Sequence, residues 1–326
     1  MLRKAKVNES RRKNNRGATL VTQYLIGTGG WAYFNVPFGS KLKAYSQAFN
    51  FAEVNYTFYE YPETRMVEHW RRTVPDDFTF TVRCHRDLTH KVGLRPVEEA
   101  YSVFDRMIEY CRILNAPFLH LETPLTYIFD QRELKAASDF FSTVNTKEVG
   151  LAWEIRNPLQ NSLADLVSLL EDFSIVHSVD LSRENPAYES ETIYTRLFGK
   201  GKHNVYQFTD EELEEIATKV KSKIKMAIIT FHGLRMNTDA LRFKTYKEKG
   251  VFTSVTQFTG VDSARAVLSE DARFPSTKTE LIETQGWKVI DLTSNKRAHL
   301  SDVLSKIPER TYKSMEELTQ TLRAYS

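Results

Sequence analysis

Cysteine is nearly missing from this 326-residue chain: Cys84 and Cys111 form no CxxC pair and fall in strand-like and helix-like surroundings. That scarcity excludes a disulfide framework and a cysteine metal centre, and it suits a reducing compartment, the cytoplasm. Long apolar runs are lacking too, and no stretch approaches the roughly 20 residues a membrane span needs. Neither an HxH nor an HExxH spacing occurs, so no preformed metal motif is present and no cofactor is expected.

The amino end also lacks an apolar core. Met1 to Ala18 hold seven Lys/Arg and one Glu, and this stretch is expected to be a mobile basic tail rather than a signal peptide or a folded element. The tail's surplus of six positive charges exceeds the chain's formal +3, so the remaining body carries −3. A basic stripe tracking a duplex is therefore not a property of the body as a whole, although the tail is able to touch acidic partners.

What the chain does have is alternation. Apolar or β-branched runs recur at Tyr24 to Thr28, Phe51 to Thr57, Phe78 to His85, Phe118 to Glu122, Gly150 to Arg156, Ser174 to Asp180, Thr192 to Phe198 and Met226 to His232. Helical periodicity occupies Lys41 to Asn50, Pro62 to Thr73, Pro96 to Asn115, Asp130 to Val144, Ser162 to Phe173, Thr209 to Ile224 and Asn237 to Glu248. Only Leu181 to Glu191, with Pro186, reads as a loop or short helical turn. Eight strands alternating with helices predict an α/β fold, a (β/α)8 TIM barrel over residues 19–250.

Six segments carry a resemblance: Ile26-Gly-Thr-Gly-Gly-Trp-Ala-Tyr33, Glu53-Val-Asn-Tyr-Thr-Phe-Tyr59, Thr81 to His90, Leu121-Glu-Thr-Pro124, Trp153-Glu-Ile-Arg-Asn-Pro158 and Tyr194-Thr-Arg-Leu-Phe-Gly199. In this order they resemble the YecE-like family, domain of unknown function seventy-two. The resemblance implies a TIM barrel and leaves the activity open. Glu122-Thr-Pro stands where the family usually has Gln and then Leu-Pro-Pro, and Phe231-His-Gly233 stands where it usually ends strand eight with Asn residues.

Residues 259–326 read as a small, mainly helical second unit. Thr277 with Glu280 and Ser314 with Glu317 have capping-box spacing, and Trp287 to Leu292 reads as a short strand. Its Phe274-Pro-Ser and Ile307-Pro-Glu-Arg-Thr-Tyr312 stretches loosely resemble domain of unknown function family twenty-seven ninety-five. So small a core suits packing on the barrel or recruiting a protein partner, and Lys296-Arg297 is expected to be a solvated turn.

Strand parity then lists the barrel interior as Thr28; Glu53, Asn55 and Thr57; Thr81, Arg83 and His85; His120 and Glu122; Glu154 and Arg156; Ser178 and Asp180; Tyr194 and Arg196; Thr230 and His232. Such a polar lining demands pairing, because buried charges cost several kcal/mol each. One expectation is structural: Glu53, Glu154 and Asp180 neutralise Arg83, Arg156 and Arg196. The other is functional, and it places an anionic small molecule, phosphate- or nucleic-acid-derived, at the C-terminal mouth.

In the functional expectation Arg83, Arg156, Arg196, Asn55 and Glu122 bind the ligand while Trp31, Tyr33 and Tyr59 stack on it. Glu154 or Asp180 acts as base and His85 or His232 donates a proton, in the manner of a hydrolase or lyase. A non-catalytic sensor is the alternative reading. A third is a metal-dependent phosphodiesterase or sugar isomerase holding a divalent ion with His85, His120, Glu122, Glu154, Asp180 and His232, against which the interleaved arginines count.

Overall fold

Strands covered by helices on one face and packed against one another on the other become parallel and nearly continuous in apolar residues. The computed structural model describes residues 22–156, 163–202 and 204–325. Its strands β1 (Gln23–Thr28), β2 (Phe51–Val54), β3 (Thr79–Arg83), β4 (Phe118–Thr123), β5 (Gly150–Ile155), β6 (Val176–Ser178), β7 (Thr192–Leu197) and β8 (Met226–Phe231) pair in the order β6-β5-β4-β3-β2-β1-β8-β7. Every pairing in this sheet is parallel.

A bridge between Val179 and Thr195 joins β6 to β7 and nearly closes the sheet into a TIM barrel. Helices cross over outside each step except between β6 and β7, where residues 179–191 run through turns. The expected basic tail and the Asn157-Pro158 end of one family-like segment lie outside the described residues. Among the described residues no helix is long and apolar enough to cross a membrane.

Inside the barrel the two ends differ. Leu25, Phe51, Ala152, Val176, Tyr194 and Ile228 pack an apolar plug toward the strands' N-terminal ends. The larger core lies between the strands and the helices, where Ile26, Phe80, Leu119, Trp153 and Ile229 meet Leu42, Phe104, Phe140 and Phe243.

Two parity expectations fail, one because the inward positions of β1 are Leu25 and Gly27, the other because β2 ends early. Thr28 faces outward: its N–H donates to Tyr45 Oη at 2.9 Å, and Tyr45 Oη donates to Phe51 O at 2.9 Å. Leu25, two residues before Gly27, carries the inward parity of β1. β2 stops at Val54, and Asn55 turns to helical backbone ahead of the short helix Tyr56–Tyr59. Thr57 therefore leaves the interior and donates its hydroxyl to Val54 O and Arg83 O at 2.9 and 2.7 Å.

Residues from 260 onward build their own core around Leu268, Leu281, Ile290, Leu300, Tyr312 and Leu318. Four helices, Gly260–Leu268, Lys278–Gln285, Leu300–Leu304 and Met315–Tyr325, surround an antiparallel pair, Val289–Thr293 with Lys296–His299. The capping boxes at Thr209/Glu212 and Thr277/Glu280 are both complete.

Tyr45 ties helix Lys41–Ala48 to two strands through one buried hydroxyl. Tyr45→Phe keeps the ring but strands the Thr28 N–H and the Phe51 carbonyl, and is expected to cost about 2 kcal/mol. Urea denaturation checks this, and an unchanged midpoint would contradict the assignment.

Candidate functional site

Above the apolar plug the inward positions turn polar, layer by layer. Tyr194 Oη donates to Glu53 Oε2 at 2.7 Å and lies 2.8 Å from Thr81 Oγ1, while His120 Nε2 lies 3.0 Å from Ser178 Oγ. The next layer is an ion network centred on Arg196, which is 1% exposed. Its Nε donates to Glu53 Oε1 at 3.1 Å, and its Nη1 pairs with Glu122 and, at 2.7 Å, with Glu154 Oε2.

Glu122 is the shared acid. Arg83 Nη2 donates to it at 2.6 Å, and Arg156 Nη1 lies 3.1 Å from its other oxygen. Arg83 also donates to Asn55 Oδ1 at 2.9 Å and lies 3.6 Å over the Phe58 ring, while Arg156 Nε donates to Glu154 Oε1 at 2.8 Å. Three glutamates thus balance three arginines. Buried guanidinium charge tolerates no less.

The titrations follow from this packing. Burial alone would raise the Glu53 carboxyl, but Arg196 and then His232 override it and hold it well below the usual carboxylate range. Glu154 behaves alike: burial pushes up, Arg196 and Arg156 pull down, and its value settles at about 2. Glu122 is also lowered: burial and the neighbouring Glu154 push up, and Arg196, Arg83 and Arg156 together outweigh them. Burial, reinforced by Arg196, depresses His120 to about 3 and lowers His232, so both rings are neutral near pH 7.

A cavity of about 530 Å³ opens over this network. Arg83, Arg156, Arg196, Asn55, His232, Tyr33 and Tyr59 line it, together with Gly29, Phe198, Asn204, Leu234 and Asn237. Arg156 is 35% exposed along its side chain, whereas Glu122 lies beneath and Glu154 is only 13% exposed. Among the described residues Arg196 Nη2 has no partner, and Asn237 Oδ1 is buried without one. Gly29 is required beside His232: a Cβ there would lie 2.3 Å from the imidazole Cε1.

Three expected site residues stand elsewhere. Asp180 lies past the end of β6, and its carboxylate accepts from the Ser182, Phe198 and Gly199 N–H groups at 2.9, 2.9 and 3.2 Å. It braces two loops, and Glu122 takes the place expected for it in the ion network. His85 follows the end of β3, stacks on Tyr61 at 3.8 Å and accepts from Asp87 N at 3.1 Å. Trp31 packs edge-on against Trp70 and Phe80, away from the cavity.

With His85 and Asp180 withdrawn and both glutamates spent on arginine, the six donors considered for a divalent ion do not converge. Among the described residues no three His, Cys, Asp or Glu side chains are grouped to hold a metal.

Other groups escaped the parity reading. Phe198 stacks on His232 at 4.9 Å and lies within 5.7 Å of both Arg156 and Arg196; as the next inward position after Arg196, it was within reach of the alternation rule. Asn204, Leu234 and Asn237 come from loops or a first helical turn and follow no period. His90, exposed, packs edge-on to Phe58 at 5.1 Å and feels Glu122, Arg83 and Arg156.

Two predictions follow from the electrostatics. Glu122→Gln removes the acid shared by three arginines, so a loss of about 3 kcal/mol is expected in denaturant unfolding, and a loss under about 1 would show that the network is not carrying buried charge. Acid should also destabilise in two windows. Burial depresses His120 to about 3 and His177 to about 4, so below pH ~6.5 the unfolded chain binds protons the folded one refuses. Stability then falls down to about pH 4 by up to about 1.4 kcal/mol per pH unit per histidine. Below about pH 4.5 the lowered Glu154 adds a further loss that continues toward its folded value of about 2. Melting temperatures recorded from pH 7 to pH 4 test the first window, and a flat profile would contradict it.

Comparison with known proteins agrees with this architecture. A family model described as protein of unknown function DUF72 matches residues 25–249. The UPF0759 protein YecE of Escherichia coli K12 is 30% identical over 120 residues, 36% of this chain and 42% of that protein. YunF of Bacillus subtilis, also a UPF0759 protein, is 31% identical over 81 residues, 24% of this chain and 27% of its own length. The matched stretch therefore spans less than half of these curated relatives. Among solved structures, a DUF72 family protein of Thermotoga maritima superposes with a TM-score of 0.56 at 19% identity, covering 70% of this chain and all of that one. One from Enterococcus faecalis gives 0.54 at 14% identity, covering 70% and 98%.

Proposed function

The chain belongs to the DUF72 family, and on that footing we propose that its barrel mouth binds a small anionic ligand carrying a phosphate or carboxylate, nucleotide-like in shape. The observation that carries this reading is the cavity floor, where Arg156 and Arg196 are held by buried glutamates and Arg196 Nη2 has no partner among the described residues. A guanidinium fixed through Nε and Nη1 presents its Nη2 amine ready-oriented, which spares the ordering cost of binding. Tyr33 and Tyr59, both exposed at the rim, offer faces for a flat ring, and Asn204 and Asn237 offer amides between rim and floor. Free, buried Cys84 and Cys111 support a reducing, cytoplasmic setting.

A second reading, in which the bound anion is also cleaved, rests on His232. Glu154, held at about 2, stays ionised and is too weak a base for efficient proton transfer, so the acid/base role expected for it is better carried by the neutral imidazole on the cavity wall.

Thermal shift and calorimetry with inorganic phosphate and adenosine monophosphate test the binding. Arg156→Gln, which leaves Glu154 and Glu122 paired with Arg196, is expected to weaken affinity about tenfold while the protein stays folded. No stabilisation of the wild-type protein by either compound would overturn the proposal. For the second reading, phosphate release from a panel of phosphate esters should vanish in His232→Gln with binding retained.

A further inference from the structure

The Lys296-Arg297 pair, expected as a solvated turn, opens a strand: Lys296 is exposed, while Arg297 is where the C-terminal unit grips the barrel. Arg297 is 5% exposed. Its Nε donates to buried Asp291 Oδ1 at 2.9 Å, and its Nη1 donates across the boundary to Asp210 Oδ2 at 2.7 Å. Asp210 opens the helix after β7 and gives its other oxygen to Arg242 of the helix after β8. One carboxylate therefore joins two barrel helices to the added unit.

The same grip reaches the cavity wall. Gln207 accepts from Val289 N at 2.9 Å through Oε1, and its backbone carbonyl accepts from His299 Nε2 at 2.8 Å. The His299 ring also lies 5.2 Å from Tyr206. Two residues before Tyr206, the Asn204 carbonyl accepts from Leu234 N at 3.1 Å and ties the loop after β7 to the loop after β8. Arg235, next in that second loop, pairs with Glu270 of the C-terminal unit.

We infer that the C-terminal unit positions the ligand cavity: His299 and Gln207 hold the Asn204 and Leu234 wall in place, so affinity at the barrel mouth depends on a module outside the matched family region. The inference rests on the proposed binding reading. Its physical basis is that a loop passing through Gly199 and Gly201 has many conformations, and a wall fixed before the ligand arrives costs no ordering at binding. Gly199 stands at φ +75 with the Tyr206 ring 2.2 Å from where a Cβ would be, so the loop is folded back onto the residue that His299 contacts.

The test uses the full chain. His299→Ala is expected to speed amide hydrogen exchange in residues 204–208 and 232–237, and to weaken inorganic phosphate binding about tenfold. His299→Gln, whose amide N–H reaches the same carbonyl, is expected to restore both, which a general loss of stability would not do. Unchanged exchange in His299→Ala overturns the inference, as does faster exchange with unchanged affinity. If the wild-type protein binds no phosphate while exchange in His299→Ala rises, the binding reading falls and the mechanical link stands.

Discussion

A guanidinium sealed inside a protein has to be neutralised where it sits, and Arg196 imposes that demand on much of the barrel's upper interior. Three strands answer with one glutamate each, Glu53 from β2, Glu122 from β4 and Glu154 from β5. Three acids around one base would leave an excess of negative charge, and Arg83 and Arg156 restore the balance by sharing Glu122. The division of the interior into an apolar plug below and a charged layer above follows from the same requirement, because a network this dense has to be complete to be tolerable. What a ligand meets at the mouth is consequently a set of cations already held rigid by their counter-ions.

Much of this was legible in the sequence because side chains alternate along a strand. On β4, β5, β7 and β8 the rule places His120, Glu122, Glu154, Tyr194, Arg196, Thr230 and His232 on one side, and the contacts between them bear that out. Alternation says nothing about where a strand stops. β2 ends at Val54 and β6 at Ser178, so Thr57 and Asp180, inward by counting, turn to backbone partners instead. The cavity wall was harder still, since Asn204 and Leu234 owe their places to loop paths that no period records.

The C-terminal unit shows the same divide between local and distant causes. Its Thr277/Glu280 capping box depends on residues three apart and could be read directly, whereas at Ser314/Glu317 only half of the box forms, because the Glu317 carboxylate turns to the Lys313 N–H. The burial of Arg297 depends on Asp210, 87 positions earlier, and nothing near Lys296-Arg297 announces it. A charged pair at the start of a short strand looks like a surface turn until the body it lies against is known.

The join between β6 and β7 deserves comparison with a stave barrel missing one hoop. No helix spans it outside, and the backbone contributes a single bridge at Val179 and Thr195, with amide contacts of 3.3 and 3.4 Å. Arg196, on β7, reaches past β6 to Glu154 on β5 and Glu122 on β4. The ion network therefore works as a tie-rod drawn across the inside of the vessel, adding a hold from within at the step that no helix covers from without.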